Sequence, residues 1–547
     1  VWGIDQKVNS NYPEAQYTYT WNPTGGTDGT GSGSGLPTLD GSPGARYPNA
    51  LISSFTNKPM AIWNEYTTPA YGGGESGGVP MFATDAFKLD NEQFNFDLTG
   101  IKHLNTGCGA LDGSECDPPD LWYGNAQLID GNDGLVRVLA LFQSWAAHPE
   151  YGDWYPQYMI KSLNVVNGYI FADDPSFVQQ DSLTDVDNFG NCLWDDCAAS
   201  TWPDFHVNND GVGYMGLAAF TADSLERPFS QSLFFKKTTD FGQTWSSDGG
   251  FKSSGYHYLT DDVLYGLHDS LLTLWSSNPD DYPGKPWYPW ATDSTGQVVG
   301  DTIRFSDDTT SLGVQYKYFY TAEFYSFFQF DILSDNDGGL HITSTAWPYL
   351  CKDDVGGCAD YVMDGNSNVV DSDSIFLDMR FEGSGMYHYY NPDPIDQPNN
   401  WTATFIDDYS DSYSADWPDE ASDNNMRLYT EDYAFFAPNV RPSYEEGSKV
   451  LWYAANKMSS ADSNNVPTDI DIFMSKSVDN GRTWTEVDNV TNTLGPVGGD
   501  PLVEYGHHLA NIGTDNEIGI FYQMPKFGQE FLTVSYDEGF TDYVNRI

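Results

Sequence analysis

The chain has 547 residues, with 24 Lys and Arg against 79 Asp and Glu, for a net charge of -55. Such a surface repels phosphate, which excludes a nucleic-acid binder built on a basic footprint and disfavours anionic membranes. Aromatics reach 16%, Gly (53) and Pro (30) are abundant, and turn-forming Asp far outnumbers Glu, so an ordered all-β chain with many tight turns is predicted. No run of about 18 apolar residues occurs, so no membrane-spanning helix is expected. A start at Val1 fits a secretion signal already removed.

Residues 1-45 read as an extended N-terminal segment. Tyr17 to Trp21 alternates like an exposed strand, and Gly25 to Gly35 is a Gly/Ser/Thr linker. The segment is expected to dock on its own domain or to act as a strand-addition arm toward another copy, giving a homo-oligomer or polymer. Residues 46-547 read as one domain of successive four-stranded units near 46-98, 119-180, 203-250, 318-405, 430-490 and 503-547, with an insertion over about 251-317. That gives six units; seven is the alternative, if 251-317 hides a degenerate one. Within the insertion, Val263, Leu264, Leu267, Leu271 and Leu274 recur at helical spacing, predicting one helix near 260-276.

The six cysteines fall as Cys108/Cys116, Cys192/Cys197 and Cys351/Cys358. Adjacency favours three local disulfides and an oxidising, extracellular or cell-surface location. Two Asx-rich runs could supply oxygen ligands to calcium: Asp185 and Asp187 before Gly190, and Asp364, Asn366 and Asn368 followed by Asp371. Asx-rich turns without metal account for each run equally well. Asn400 and Asn489 head N-glycosylation sequons.

A short pattern recurs along the chain. Thr238 to Trp245 and Ser477 to Trp484 share S/T-x-D-x-G-x-T-W, and Ser535 to Asp542 keeps all but the final aromatic. Each copy follows an alternating run, so it should close a hairpin, with Asp bonding backbone across the turn, Gly supplying positive φ and Trp anchoring the turn. The pattern resembles the Asp box, or bacterial neuraminidase repeat, of sialidase-like and sortilin-like β-propellers. The resemblance implies a propeller in which Asp240, Gly242, Trp245, Asp479, Gly481, Trp484, Asp537 and Gly539 are structural and lie away from an active face. The turns Asn132-Asp133-Gly134, Asn209-Asp210-Gly211 and Asn336-Asp337-Gly338 echo the same architecture.

Sialidases of that superfamily carry an R-x-P arginine, two more arginines completing a carboxylate clamp, an acid/base Asp and a Tyr nucleophile activated by Glu. Here Arg46-Tyr47-Pro48 matches the first of these. The strand where the acid would lie offers Glu65 but no Asp, Arg380 and Arg441 are the clamp partners by position, and Glu382 with Tyr387 is the Glu/Tyr pair. Only nine arginines occur in the chain. Two function classes follow. The favoured one is a non-catalytic extracellular protein that recognises glycans or assembles with copies of itself. The alternative is a sialidase-like exo-glycoside hydrolase, with ordinary two-carboxylate glycoside hydrolysis also open because 79 acids cannot be ranked by sequence.

Overall fold

The computed structural model describes residues 45-56, 59-67, 77-84, 102-107, 116-118, 120-144, 157-162, 165, 176-177, 203-221, 230-250, 255-259, 263, 304-309, 315-318, 324-350, 361-363, 369-372, 378-379, 385-408, 438-445, 447-461, 467-492, 502-525 and 543-546. Among these the secondary structure is strand almost throughout, arranged in antiparallel sheets whose order follows the chain. The first sheet runs Ala45–Ile52, Pro59–Thr67, Gly77–Thr84 and Lys102–His103, and the second Leu121–Asp130, Val136–Ser144, Gln157–Ser162 and Ser176–Phe177. The third starts at Asp204–Val207, the fourth at Phe324–Ser334, the fifth at Asn439–Pro442 and the sixth at Tyr505–Gly513. These leading strands pack one against the next, giving a propeller-like arrangement with a shared inner edge.

A seventh sheet joins Arg304–Thr309 and Gln315–Tyr318 to Tyr361–Met363 and Val369–Ser372. It is assembled from two excursions either side of the fourth sheet's first hairpin, so residues 251-317 alone do not supply an independent unit. Apart from Val263, the helix expected near 260-276 lies outside the described residues, as does the segment 1-44.

Apolar layers fill the space between neighbouring sheets. Leu51, Met60 and Ile62 of the first meet Val138, Ala140 and Phe142 of the second; Leu139, Leu141 and Met159 on its other face meet Phe205, Val207 and Met215 of the third. The strand Val136–Ser144 is buried at every position because both of its faces are covered. That is why its sequence reads as a continuous apolar run rather than an alternating one. Tyr214 and Phe235 of the third sheet pack with Ile332, Ile342, Tyr387 and Tyr389 of the fourth.

The two S/T-x-D-x-G-x-T-W segments close the same turn. Thr238 Oγ1 donates to Asp240 Oδ1 (2.8 Å) and accepts from the Gly242 amide (3.0 Å), while Asp240 accepts from the Thr244 amide (2.9 Å) and hydroxyl (2.6 Å). In the second copy Ser477, Asp479, Gly481 and Thr483 repeat these bonds at 2.7-2.9 Å. Burial works against the Asp240 charge, but the Thr244 and Thr238 bonds outweigh it and hold the carboxyl below its ordinary range. Asp240→Ala should therefore destabilise by about 1 kcal/mol in a urea titration, since it removes the bonds that close the turn while the exposed Thr244 donors are rehydrated. A cost below about 0.5 kcal/mol would mean that the turn closes without its carboxylate. The third copy, with Asp537 and Gly539, lies outside the described residues.

Candidate active site at the inner edge

The leading strands expose backbone N–H groups along the inner edge, and side chains of the preceding sheet satisfy them. Gln127 Oε1 accepts from the Val207 amide (2.9 Å), Asp204 Oδ2 from Ile332 (2.7 Å), and His206 Nδ1 from Ser334 (3.1 Å). Asp331 Oδ2 accepts from the Val440 amide, and Asn439 Oδ1 from Leu509 (2.8 Å). Strand alternation makes this possible: in Asp204–Val207 the apolar Phe205 and Val207 enter the core, leaving Asp204 and His206 facing the inner edge, partly open to solvent.

Three of these strands bring a charged cluster together. Arg441 Nη1 donates to both Asp331 oxygens (3.2 and 3.0 Å) and to the Val440 carbonyl (2.6 Å), and its Nε donates to Asn511 Oδ1 (3.2 Å). Asp204 bonds the Asn125 amide on its other side. Burial, and then the negative charge of Asp331, push the Asp204 carboxyl up to about 7, against the smaller pull of the Ile332 amide and Arg441. Burial and the Arg441 cation lower His206 to about 3 and His508 to about 4, so both are neutral bases. His508 lies on the leading strand of the sixth sheet, Tyr505–Gly513, and is exposed.

A second polar cluster ties the fourth sheet to the fifth. His388 Nδ1 lies 3.2 Å from the Gly481 carbonyl, His388 Nε2 lies 3.0 Å from His341 Nδ1, and His341 Nε2 lies 3.2 Å from Asp335 Oδ2. A carbonyl only accepts, so His388 donates to Gly481 through Nδ1 and its Nε2 is left to accept from His341, whose other nitrogen faces Asp335. Burial opposes the Asp335 charge, but His341, the Asn480 amide and the Gly339 backbone hold its carboxyl well below the usual range. Burial, with His341 next, keeps His388 neutral. Both rings are buried, so this chain is a structural bond between sheets.

Of the residues singled out by sequence, Arg441 enters the inner-edge cluster. Tyr387 sits on the third strand of the fourth sheet, buried against Tyr389 and Phe405 in the apolar layer. Arg46 and Glu65 fall on the first two strands of the first sheet, in register with Asn64 and Ala45, their side chains outside the described residues. Arg380 and Glu382 lie outside them entirely, as do Asp185, Asp187, Asp364, Asn366 and Asn368; Asp371 pairs with Val362 in the seventh sheet. Among the described residues no group of three His, Cys, Asp or Glu side chains is placed to hold a metal ion.

Cys116 is buried and disulfide-bonded. Its expected partner Cys108 lies outside the described residues, and so do both members of the other two expected pairs, Cys192 with Cys197 and Cys351 with Cys358. The Asn400 amide is exposed in a turn, donating to Gln397 Oε1 (3.0 Å), whereas Asn489 donates to the buried Asp471 (2.6 Å) and accepts from the Asn492 amide (2.7 Å). Asp204, Asp331 and Asn125 were not reached by sequence reasoning. The available signal was an acid inside an apolar strand, as in Phe330-Asp331-Ile332, rather than in a turn.

No protein-family profile matches the chain, and no curated protein matches it. Among solved structures it is similar to the GH93 α-L-arabinofuranosidase of Fusarium graminearum, at 10% identity and TM-score 0.39, covering 92% of each chain. It is also similar to the polysaccharide lyase Uly1, at 11% identity and TM-score 0.39, covering 91% of this chain and 76% of that one. A third is the intramolecular trans-sialidase from Ruminococcus gnavus, at 10% identity and TM-score 0.23, with 88% and 77% covered.

Proposed function

We propose that the chain is a glycan-active protein that hydrolyses glycosidic bonds at the inner edge, with Asp204 as its acid. The observation that carries this reading is the contrast between two neighbouring carboxyls. Asp204 is raised to about 7 and keeps its proton through mildly acidic pH, while Asp331 is ion-paired to Arg441. In this reading Asp204 protonates the leaving oxygen as the C–O bond breaks. The fixed Asp331 charge stabilises the positive charge developing at the anomeric carbon, and water adds to that carbon while its proton returns to Asp204. Asp331 is a fixed charge rather than a nucleophile, because Arg441 holds both of its oxygens.

The test is a screen of nitrophenyl and oligosaccharide substrates, followed by a pH profile of kcat on whichever is cleaved. Activity should fall as pH rises through about 7, where Asp204 loses its proton. A profile without that limb would remove Asp204 from the role.

A second reading is favoured by one specific observation: both carboxylates accept backbone N–H groups of the next sheet, which is a structural task sufficient by itself. Under it the chain is a non-catalytic extracellular protein of glycan recognition or self-assembly, its Asp204→Ala and Asp331→Ala variants, which lack the acceptor, lose stability alone, and light scattering of the intact chain reports polymers.

A further inference from the structure

Resting on the hydrolase reading, we infer that the glycosyl group taken at the inner edge is uncharged: a neutral sugar, not a sialate or a uronate. A site for an anionic sugar needs a guanidinium whose charge and paired N–H groups face the ligand. Arg441 does not offer that. Its Nη1 is held by both oxygens of Asp331 and by the Val440 carbonyl, and its Nε by Asn511, so Nη2 has no adjacent open N–H with which to form a two-point grip.

The rest of the cluster adds no compensating charge. Among the described residues Arg441 is the cation paired into it, and it faces two carboxyls, Asp331 and Asp204. His206 and His508 are neutral for the reasons given above. Asn125, Asn439 and Asn511 contribute uncharged amides, suited to sugar hydroxyls. Over the described side chains of the cluster the sum is zero with Asp204 protonated and minus one without it, inside a chain of -55. A carboxylate ligand would therefore meet no net attraction at short range while Asp204 is protonated, and repulsion at long range.

The experiment uses the full chain and matched ligand pairs in which only the C5 substituent differs, a hydroxymethyl against a carboxylate: methyl glucoside with methyl glucuronide, and methyl galactoside with methyl galacturonide. A methyl arabinofuranoside and a methyl sialoside complete the set. Binding is read by calorimetry at pH 6, and cleavage by product release from the nitrophenyl counterparts. The neutral member should bind at least tenfold more tightly in its pair. Asp331→Asn, which keeps an acceptor for the Val440 amide and frees the guanidinium, should shift that preference toward the anionic member by tenfold or more.

An anionic member that binds as well as its neutral twin to the wild type overturns the inference and leaves hydrolysis standing. Absence of binding and cleavage across the whole set overturns the hydrolase reading and the inference with it. Should Asp331→Asn fail to fold, the wild-type pairs decide the question alone.

Discussion

Asp204→Asn loses glycoside turnover by about 10²-10⁴-fold, the range a positioned acid contributes, while remaining folded. The asparagine still accepts from the Ile332 amide through its carbonyl oxygen, so the link to the fourth sheet survives. The same variant has a stability signature with a definite sign. Native Asp204 holds its proton to about 7, whereas an unfolded aspartate releases it near its ordinary value of about 4. Between those values the native state binds more protons than the unfolded one, so rising pH costs wild-type stability. The amide of the Asp204→Asn variant does not titrate and has no such dependence. The two proteins should melt together near pH 4 and diverge up to about pH 7, the variant becoming more stable by about 1-2 kcal/mol once solvent screening of the partly open side chain is allowed for. Full turnover in Asp204→Asn, or parallel melting across that range, would show that this carboxyl neither donates a proton nor carries the strain assigned to it.

The largest stability effect is expected at Gly481. Its φ is +79°, and a methyl group there would overlap the His388 ring that donates to its own carbonyl. His388 cannot give way: it is fully buried, bonded to His341 on its far side and packed edge-on against Trp484 at 5.4 Å. Gly481→Ala should therefore destabilise by about 3 kcal/mol or more in chemical denaturation, combining left-handed backbone strain with overpacking. Gly447→Ala is the control. It shares a positive φ (+74°) but has open space around the added carbon, so it should cost only about 1 kcal/mol. Equal costs at the two glycines would show that backbone strain alone is at work and that the histidine chain contributes nothing.

The turns were legible in the sequence because their chemistry is local. Thr238, Asp240, Gly242 and Thr244 lie within seven residues and bond one another, so a single window contains the whole structural reason. Most of the sheets were legible for a similar cause: in the first, second, third and sixth, each strand pairs with the next described strand of the chain. The inner-edge cluster was not, because Asn125, Asp204, Asp331 and Arg441 come from four different sheets. Nothing in the residues around Asp204 marks it among so many acids; only the packing of successive leading strands buries it and brings Asp331 near enough to raise it further. The histidine chain was hidden in the same way, since His341 and His388 sit within apolar-looking strands and meet across a strand pair in direct register neighbourhood, His341 opposite Tyr390 and His388 opposite Thr343.

Five caps along the inner edge share one direction: from the second sheet onward, the acceptor is a side chain of the earlier sheet and the donor is the backbone of the later one. The molecule thus has a built-in polarity under truncation. Cutting away the last sheet frees the Asn439 acceptor on this edge, which water hydrates readily. Cutting away an early sheet instead bares a row of backbone donors, an open seam that invites pairing between molecules. C-terminal deletions should stay dispersed in solution where N-terminal ones clump, a contrast that light scattering of the truncated chains would read.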